Sequence, residues 1–124
     1  MRRSAVVAAV SAGGVLGALA RYGAAVAWPT PWTILAVNAA GCLAMGALMV
    51  VVIEVRTAHP LIRPFLGTGV LGGFTTFSTY CADFQRMLAD SPVAAFGYLI
   101  GTLLAALIAV SAGTAITRRV VAQR

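Results

Sequence analysis

The sequence predicts an all-α integral membrane protein with four transmembrane helices, on three observations. Of its 124 residues 60% are hydrophobic, and the mean hydropathy is +0.94, so the chain has too few polar side chains to cover a water-facing globule of this size. Four runs carry no charge, Ser4–Ala20, Pro31–Ile53, Pro64–Ala82 and Ser91–Thr117, of 17, 23, 19 and 27 residues. Each is close to the roughly 20 residues that cross about 30 Å of hydrocarbon at about 1.5 Å per residue. None alternates polar and apolar residues as a strand would, and a helix is the only open-chain element that satisfies its own backbone in lipid.

With their flanks the spans are placed at 4–27, 31–53, 62–84 and 92–117, in a single integral membrane domain covering 1–124. The loops left over are too short to hold an enzymatic domain. The first span begins MRRSAVVAAVSAGGVLGALA, which has the arginines, apolar core and small-residue ending of a cleaved secretory signal. Cleavage would leave an odd number of spans and discard the glycines at 13 and 17, so Arg2 and Arg3 are read as an anchor. Trp28-Pro29-Thr30-Pro31, the segment around Thr57-Ala58-His59-Pro60 and Asp90-Ser91-Pro92 supply the turns. Each proline suits a helix start or a connection.

Small residues four apart recur in every span: Gly13 and Gly17; Ala36, Ala40 and Ala44; Gly69 and Gly73; Gly97 and Gly101. Helices in lipid associate through such residues because they let backbones approach. Four such faces predict a compact bundle that associates further.

The net charge of +6 comes from nine arginines and no lysine. They lie mostly at span ends, where they set topology and meet anionic lipid, so no nucleic-acid partner is expected. Arg2, Arg3, Arg56, Arg63, Arg118, Arg119 and Arg124 fall on one side and Arg21 and Arg86 on the other, seven against two. Both termini are therefore predicted on the cytoplasmic side of the cell's inner (plasma) membrane. Cys42 and Cys81 lie within spans at no metal-site spacing and read as small buried thiols. His59, alone in its loop, reads as a solvated side chain.

Polar groups inside a span are costly, which makes each a functional candidate. Asn38 lies roughly 11 Å along the second helix, where its amide offers two donors and an acceptor; an interhelical hydrogen bond is its plain structural alternative. Arg21 closes the first span and either anchors topology or draws anions to the helix mouth. Asp83 is read as a partner for Arg86 three residues on.

The stretch GGFTTFSTY at 72–80 gathers two glycines, four hydroxyl residues and three aromatics in an apolar run. Gly72 and Gly73 lower helix propensity by about 1 kcal/mol each relative to alanine, and the hydroxyls of Thr75 and Thr76 compete for backbone partners. A helix break there is predicted. The carbonyls it frees persist only if buried in protein or met by water or a cation. Beyond it Phe77, Tyr80 and Phe84 share a face, as packing residues or as ring edges whose positive quadrupole suits a small anion.

GGFTTFST at 72–79, with GALARY at 17–22 and VNAAG at 37–41, closely resembles the Fluc/CrcB fluoride channels in motif order, span number and length. The resemblance implies a passive, fluoride-selective channel built as an antiparallel dimer, in which the partner has the opposite orientation and two pores follow the interface. Such channels relieve toxicity by letting cytoplasmic fluoride leave. On this resemblance Asn38 would donate to fluoride, Phe77 and Tyr80 would offer ring edges, and Ser78 and Thr79 would add hydroxyls. Arg21 would stand near a vestibule. Gly72 and Thr75 would turn carbonyls to a structural sodium ion at the dimer interface.

Three positions depart from the family's pattern. Tyr80 replaces a second Phe, adding a hydroxyl that must find a partner, Ile34 replaces a Thr one turn before Asn38, and Asp83 stands where a Glu is common. Tyr98 and Thr102 are candidates to line the polar track. The seven-to-two arginine bias suits one orientation, so the partner is either a second copy or an oppositely oriented paralogue, and an alternative function for this chain is that of a non-conducting partner subunit of a heterodimeric channel. The rival class is a small four-helix proton-coupled multidrug exporter. That chemistry needs a carboxylate within the first span, and there is none.

Overall fold

The computed structural model describes residues 2–55 and 59–124, so Arg56, Thr57 and Ala58 of the expected second turn lie outside the described residues. Helix α1 spans Arg3–Ala27. Helix α2, Pro31–Val50, continues as a π-helical Val51–Val55. A second π-helical segment, Arg63–Leu71, leads into the single turn α3, Gly72–Phe74. Helices α4, Ser78–Asp90, and α5, Pro92–Ala122, complete the chain.

Two of the turns form by capping. The Thr30 side chain accepts from the Trp32 amide at 3.0 Å, and that of Ser91 accepts from the Ala94 amide at 3.3 Å. Pro31 and Pro92 follow at the first turn, where an absent N–H costs nothing. His59 is exposed, and its Nδ1 accepts from the Leu61 amide at 3.2 Å.

The helices Arg3–Ala27, Pro31–Val55 and Pro92–Ala122 are long and apolar enough to cross a membrane, and the chain is a membrane protein. The charge-free run Pro64–Ala82 does not form one helix, because Thr75 adopts extended backbone at φ −77°, ψ 150° and α4 starts only at Ser78. The interruption lies later than the glycines suggested. Gly72 and Gly73 are both helical, and it is Thr75–Phe77 that leaves the helix. The hydroxyl and the amide of Thr75 both donate to the Leu71 carbonyl, at 2.9 and 3.0 Å, and close the helix end.

Gly73 serves packing instead: a Cβ there would lie 3.0 Å from Gly14 Cα. In the same way a Cβ on Gly17 would lie 2.8 Å from the Phe74 nitrogen, and one on Gly69 2.9 Å from Gly13 Cα. Helix α1 therefore lies backbone to backbone against 63–74, as the Gly13/Gly17 and Gly69/Gly73 spacing predicts. Helices α2 and α5 approach through glycines outside the predicted faces. A Cβ on Gly46 would lie 2.8 Å from the Thr114 nitrogen, and one on Gly113 3.0 Å from the Leu43 carbonyl carbon. Ala36, Ala40 and Ala44 are exposed, and Gly97 and Gly101 have open space where a Cβ would go. Those two predicted faces are not used within the chain.

At one end of the bundle Arg118 Nε and Nη2 both donate to Glu54, at 3.0 and 2.7 Å to Oε1, tying the end of the Val51–Val55 segment to α5. The pair is exposed and contributes little stability. The densest side-chain cluster lies between α2, α4 and α5, where Ile34, Tyr80 and Tyr98 are buried together. Ile34 is thus a core residue facing α4 and α5.

Candidate functional site

The interruption at Thr75–Phe77 leaves Thr76 outside helical hydrogen bonding on both its amide and its carbonyl, while the Thr75 amide and the Phe77 carbonyl keep helical partners in Leu71 and Cys81, and a side chain from α2 supplies what Thr76 lacks. Asn38 lies on α2 across from Thr76. Its Nδ2 donates to the Thr76 carbonyl at 2.9 Å while its Oδ1 accepts from the Thr76 amide at 2.8 Å. One primary amide thereby pairs with both groups of one peptide residue, as a neighbouring strand would. Asn38 is 7% exposed, so both bonds are sheltered from water. The second Nδ2 hydrogen has no hydrogen-bond partner among the described residues.

Arg21, near the end of α1, donates from Nε to the Gly73 carbonyl at 3.1 Å. The Thr76 hydroxyl accepts from the Thr79 amide at 3.2 Å, which caps the start of α4, and also donates to Thr79 Oγ1 at 3.2 Å. It lies 3.3 Å from Ser78 Oγ. The carbonyls of Gly72 and Thr75, by contrast, receive no turn or side-chain hydrogen bond among the described residues. Two carbonyl oxygens without donors are hard ligands of the kind a small cation takes.

Beside this point lies an open groove of about 410 Å³, lined among others by Asn38, Cys42, Gly72, Thr75, Thr76, Phe77, Tyr80 and Thr102. Phe77 is 76% exposed and its ring lies 5.7 Å from that of Tyr80, tilted by 57°. Tyr80 is only 6% exposed, and its hydroxyl donates to the Leu99 carbonyl on α5. The aromatic series continues through the fully buried Tyr98, 5.6 Å from Tyr80, and out to the exposed Trp32, 5.7 Å from Tyr98. Phe84 belongs to a different contact, edge-on to Phe96 at 5.3 Å. Among the described residues the buried Thr102 Oγ1 has no hydrogen-bond partner, and the buried Tyr98 hydroxyl faces only the Asp83 carboxylate, beyond hydrogen-bond geometry. Each unmet group of this kind costs about 1–3 kcal/mol unless something satisfies it.

The CrcB-like (camphor resistance) family profile matches residues 8–114. The chain belongs to the CrcB family. Among curated relatives, it is 53% identical to fluoride-specific ion channel FluC 1 of Streptomyces coelicolor, over 96% of this chain and 81% of that protein. It is 50% identical to FluC 2 of Nocardia farcinica, over 92% and 86%, and 41% identical to FluC of Paracoccus denitrificans, over 88% and 91%.

In this CrcB protein the residues expected from the sequence divide between two places. Asn38, Gly72, Thr75, Phe77 and Tyr80 meet in the groove. Thr79 lies instead in a second cavity of about 380 Å³ with Trp28, Asp83 and Arg86, and Ser78 lines neither. Arg86 donates to Asp83 at 2.9 Å, the pairing their spacing predicts. Arg21 is partly buried against the interruption. Thr76 was not singled out as a site residue. Its sequence signal was its place in the Thr75-Thr76 doublet, but nothing in the sequence joins position 76 to position 38.

Proposed function

We propose that this protein is a fluoride-selective passive channel that lets cytoplasmic fluoride leave the cell and so limits its toxicity. The observation that carries the reading is the groove, where a clamped polar peptide, a free amide hydrogen, an exposed ring and an unmet hydroxyl meet beside an interrupted helix. Fluoride is small and strongly hydrated, and it leaves water only for several close donors. The second hydrogen of Asn38 Nδ2 and the Thr102 hydroxyl are donors without partners among the described residues. The Phe77 and Tyr80 rings add positive edges and a dry wall that offers a larger, less basic anion little in return. Ser78 and Thr79 belong to the approach, Thr79 through the cavity beside Asp83 and Arg86. Arg21 places positive charge near the mouth.

The residues 63–90 are read as one interrupted crossing, giving four spans in one domain, with both termini on the cytoplasmic side of the inner membrane. The Gly72 and Thr75 carbonyls would hold a sodium ion, which supplies positive charge that fixes the interruption. A groove opening the half-buried Thr75 and Thr76 to lipid is costly. That cost supports an antiparallel dimer, with a second copy or an oppositely oriented paralogue covering the groove and the unused Gly97/Gly101 face. Proton-coupled export is disfavoured because Glu54 is exposed and paired with Arg118, and Asp83 is paired with Arg86.

The test is fluoride efflux from liposomes containing the protein, with chloride as the comparison ion. Rapid fluoride loss with no chloride loss is expected, greatly reduced by Asn38→Ala or Phe77→Ile. A folded dimer that releases no fluoride, alone or with an oppositely oriented paralogue, would overturn the reading.

A further inference from the structure

Cys42 lies one turn beyond Asn38 on α2, about 6 Å further along the axis, and it lines the same groove. The other thiol does not. Cys81 packs against the buried Ile34, Tyr80 and Tyr98 cluster. Both cysteines are free and partly buried, but only Cys42 borders an open space of molecular size.

A second observation points to an occupant at this wall. Thr102 on α5 lines the groove too, is 3% exposed, and has a hydroxyl with no partner among the described residues. A buried donor left unmet beside open space marks a place where a polar guest gains a hydrogen bond that the chain itself does not supply. The groove volume of about 410 Å³ exceeds the roughly 30 Å³ that one liquid water occupies many times over. A small reagent fits there.

We propose that Cys42 is a modification site for small sulfur electrophiles, and that a mixed disulfide formed on it obstructs the groove beside Asn38 and Thr102. The Cys42 thiolate attacks the sulfenyl sulfur of a methanethiosulfonate. A new S–S bond forms, the S–SO2 bond breaks, methanesulfinate leaves with the electron pair, and the thiol proton passes to buffer. The added thiomethyl group projects beside Asn38 and Thr102, where the donors of the proposed fluoride path converge. Thiol chemistry would then act on this protein as a reversible block, undone by dithiothreitol. The blocking step rests on the channel reading; the labelling step does not.

The experiment treats the intact protein in liposomes with methyl methanethiosulfonate, then reads intact mass, the labelled peptide and fluoride efflux. The expected result is one thiomethyl group on Cys42, loss of efflux, and recovery of both mass and efflux with dithiothreitol. Cys81→Ser should label and lose efflux as the parent does. Cys42→Ser and Cys42→Ala, whatever their starting rates, should be insensitive to the reagent. Labelling at Cys81 alone, or no label on native protein when the SDS-unfolded chain takes two, would overturn the proposal. Label on Cys42 with unchanged efflux overturns the blocking step. An unmodified protein that conducts no fluoride refutes the channel reading instead, and the mass measurement then decides the modification site by itself.

Discussion

Replacing Asn38 with alanine removes both hydrogen bonds that hold the Thr76 peptide, at 2.8 and 2.9 Å. Interhelical hydrogen bonds in membrane proteins are worth only about 0.6 kcal/mol each on average. The larger effect is what is left behind, an amide and a carbonyl with no helical partner, at about 1–3 kcal/mol each. Water reaching the open groove offsets part of this, so the expected loss is about 2–4 kcal/mol, set by the stranded peptide. The control is Thr76→Ala, which keeps the clamped peptide and loses the side-chain cap of α4 with the hydroxyl contacts to Thr79 and Ser78, about 1 kcal/mol. Unfolding midpoints in mixed dodecyl maltoside and SDS micelles measure both variants, alongside fluoride efflux from liposomes. Asn38→Ala should lose stability and conduction together, by more than Thr76→Ala. An Asn38→Ala protein as stable as the parent would refute the clamp, and if its efflux were also unchanged it would refute any role for Asn38 in the path.

Other substitutions separate packing from conduction. Gly17→Ala drives a methyl to 2.8 Å from the Phe74 nitrogen, against backbone that cannot yield, and should destabilise by about 1–3 kcal/mol in the same micelle titration. Gly14→Ala, with nothing within 4 Å of the added carbon, should stay within about 0.5 kcal/mol of the parent. Thr102→Val removes an unmet buried hydroxyl while keeping its shape, so stability should hold or rise while fluoride efflux falls; unchanged efflux would remove Thr102 from the path. Tyr80→Phe loses the bond to the Leu99 carbonyl and should cost about 1 kcal/mol of stability while leaving efflux at or above the parent rate.

Much of this was legible in the sequence because lipid imposes strong local rules. Charge-free runs located the helices, and Pro31 and Pro92 marked starts that the structure caps with Thr30 and Ser91. The glycines of α1 and of 63–74 found each other because only small residues permit such contact. The α2–α5 contact was hidden: Gly46 has no glycine or alanine four residues away, and Gly113 lies far along the small-residue series that begins at Gly97 and Gly101, while the repeated Ala36, Ala40 and Ala44 stay exposed. The interruption was placed slightly early for a similar reason. Glycine weakens a helix in isolation, but Gly72 and Gly73 remain helical here, where 63–74 packs on α1, and the chain departs only where Asn38 can pair with Thr76. That departure depends on a residue 38 positions away, which local propensity does not register.

The hydroxyls around the groove follow two different rules. Thr75, Thr76 and Tyr80 spend theirs on the protein: Thr75 closes the helix end at Leu71, Thr76 caps α4, and Tyr80 is tied to α5 through Leu99. The extra hydroxyl at Tyr80, which threatened to add polarity to the wall, is therefore bound to backbone, and the groove meets Tyr80 chiefly as a ring. Thr102 spends its hydroxyl on nothing among the described residues. On the proposed channel reading, the donors left for a small anion are the Thr102 hydroxyl, which lines the groove, and the free hydrogen of the Asn38 amide, with Ile34 packed in the core one turn before Asn38.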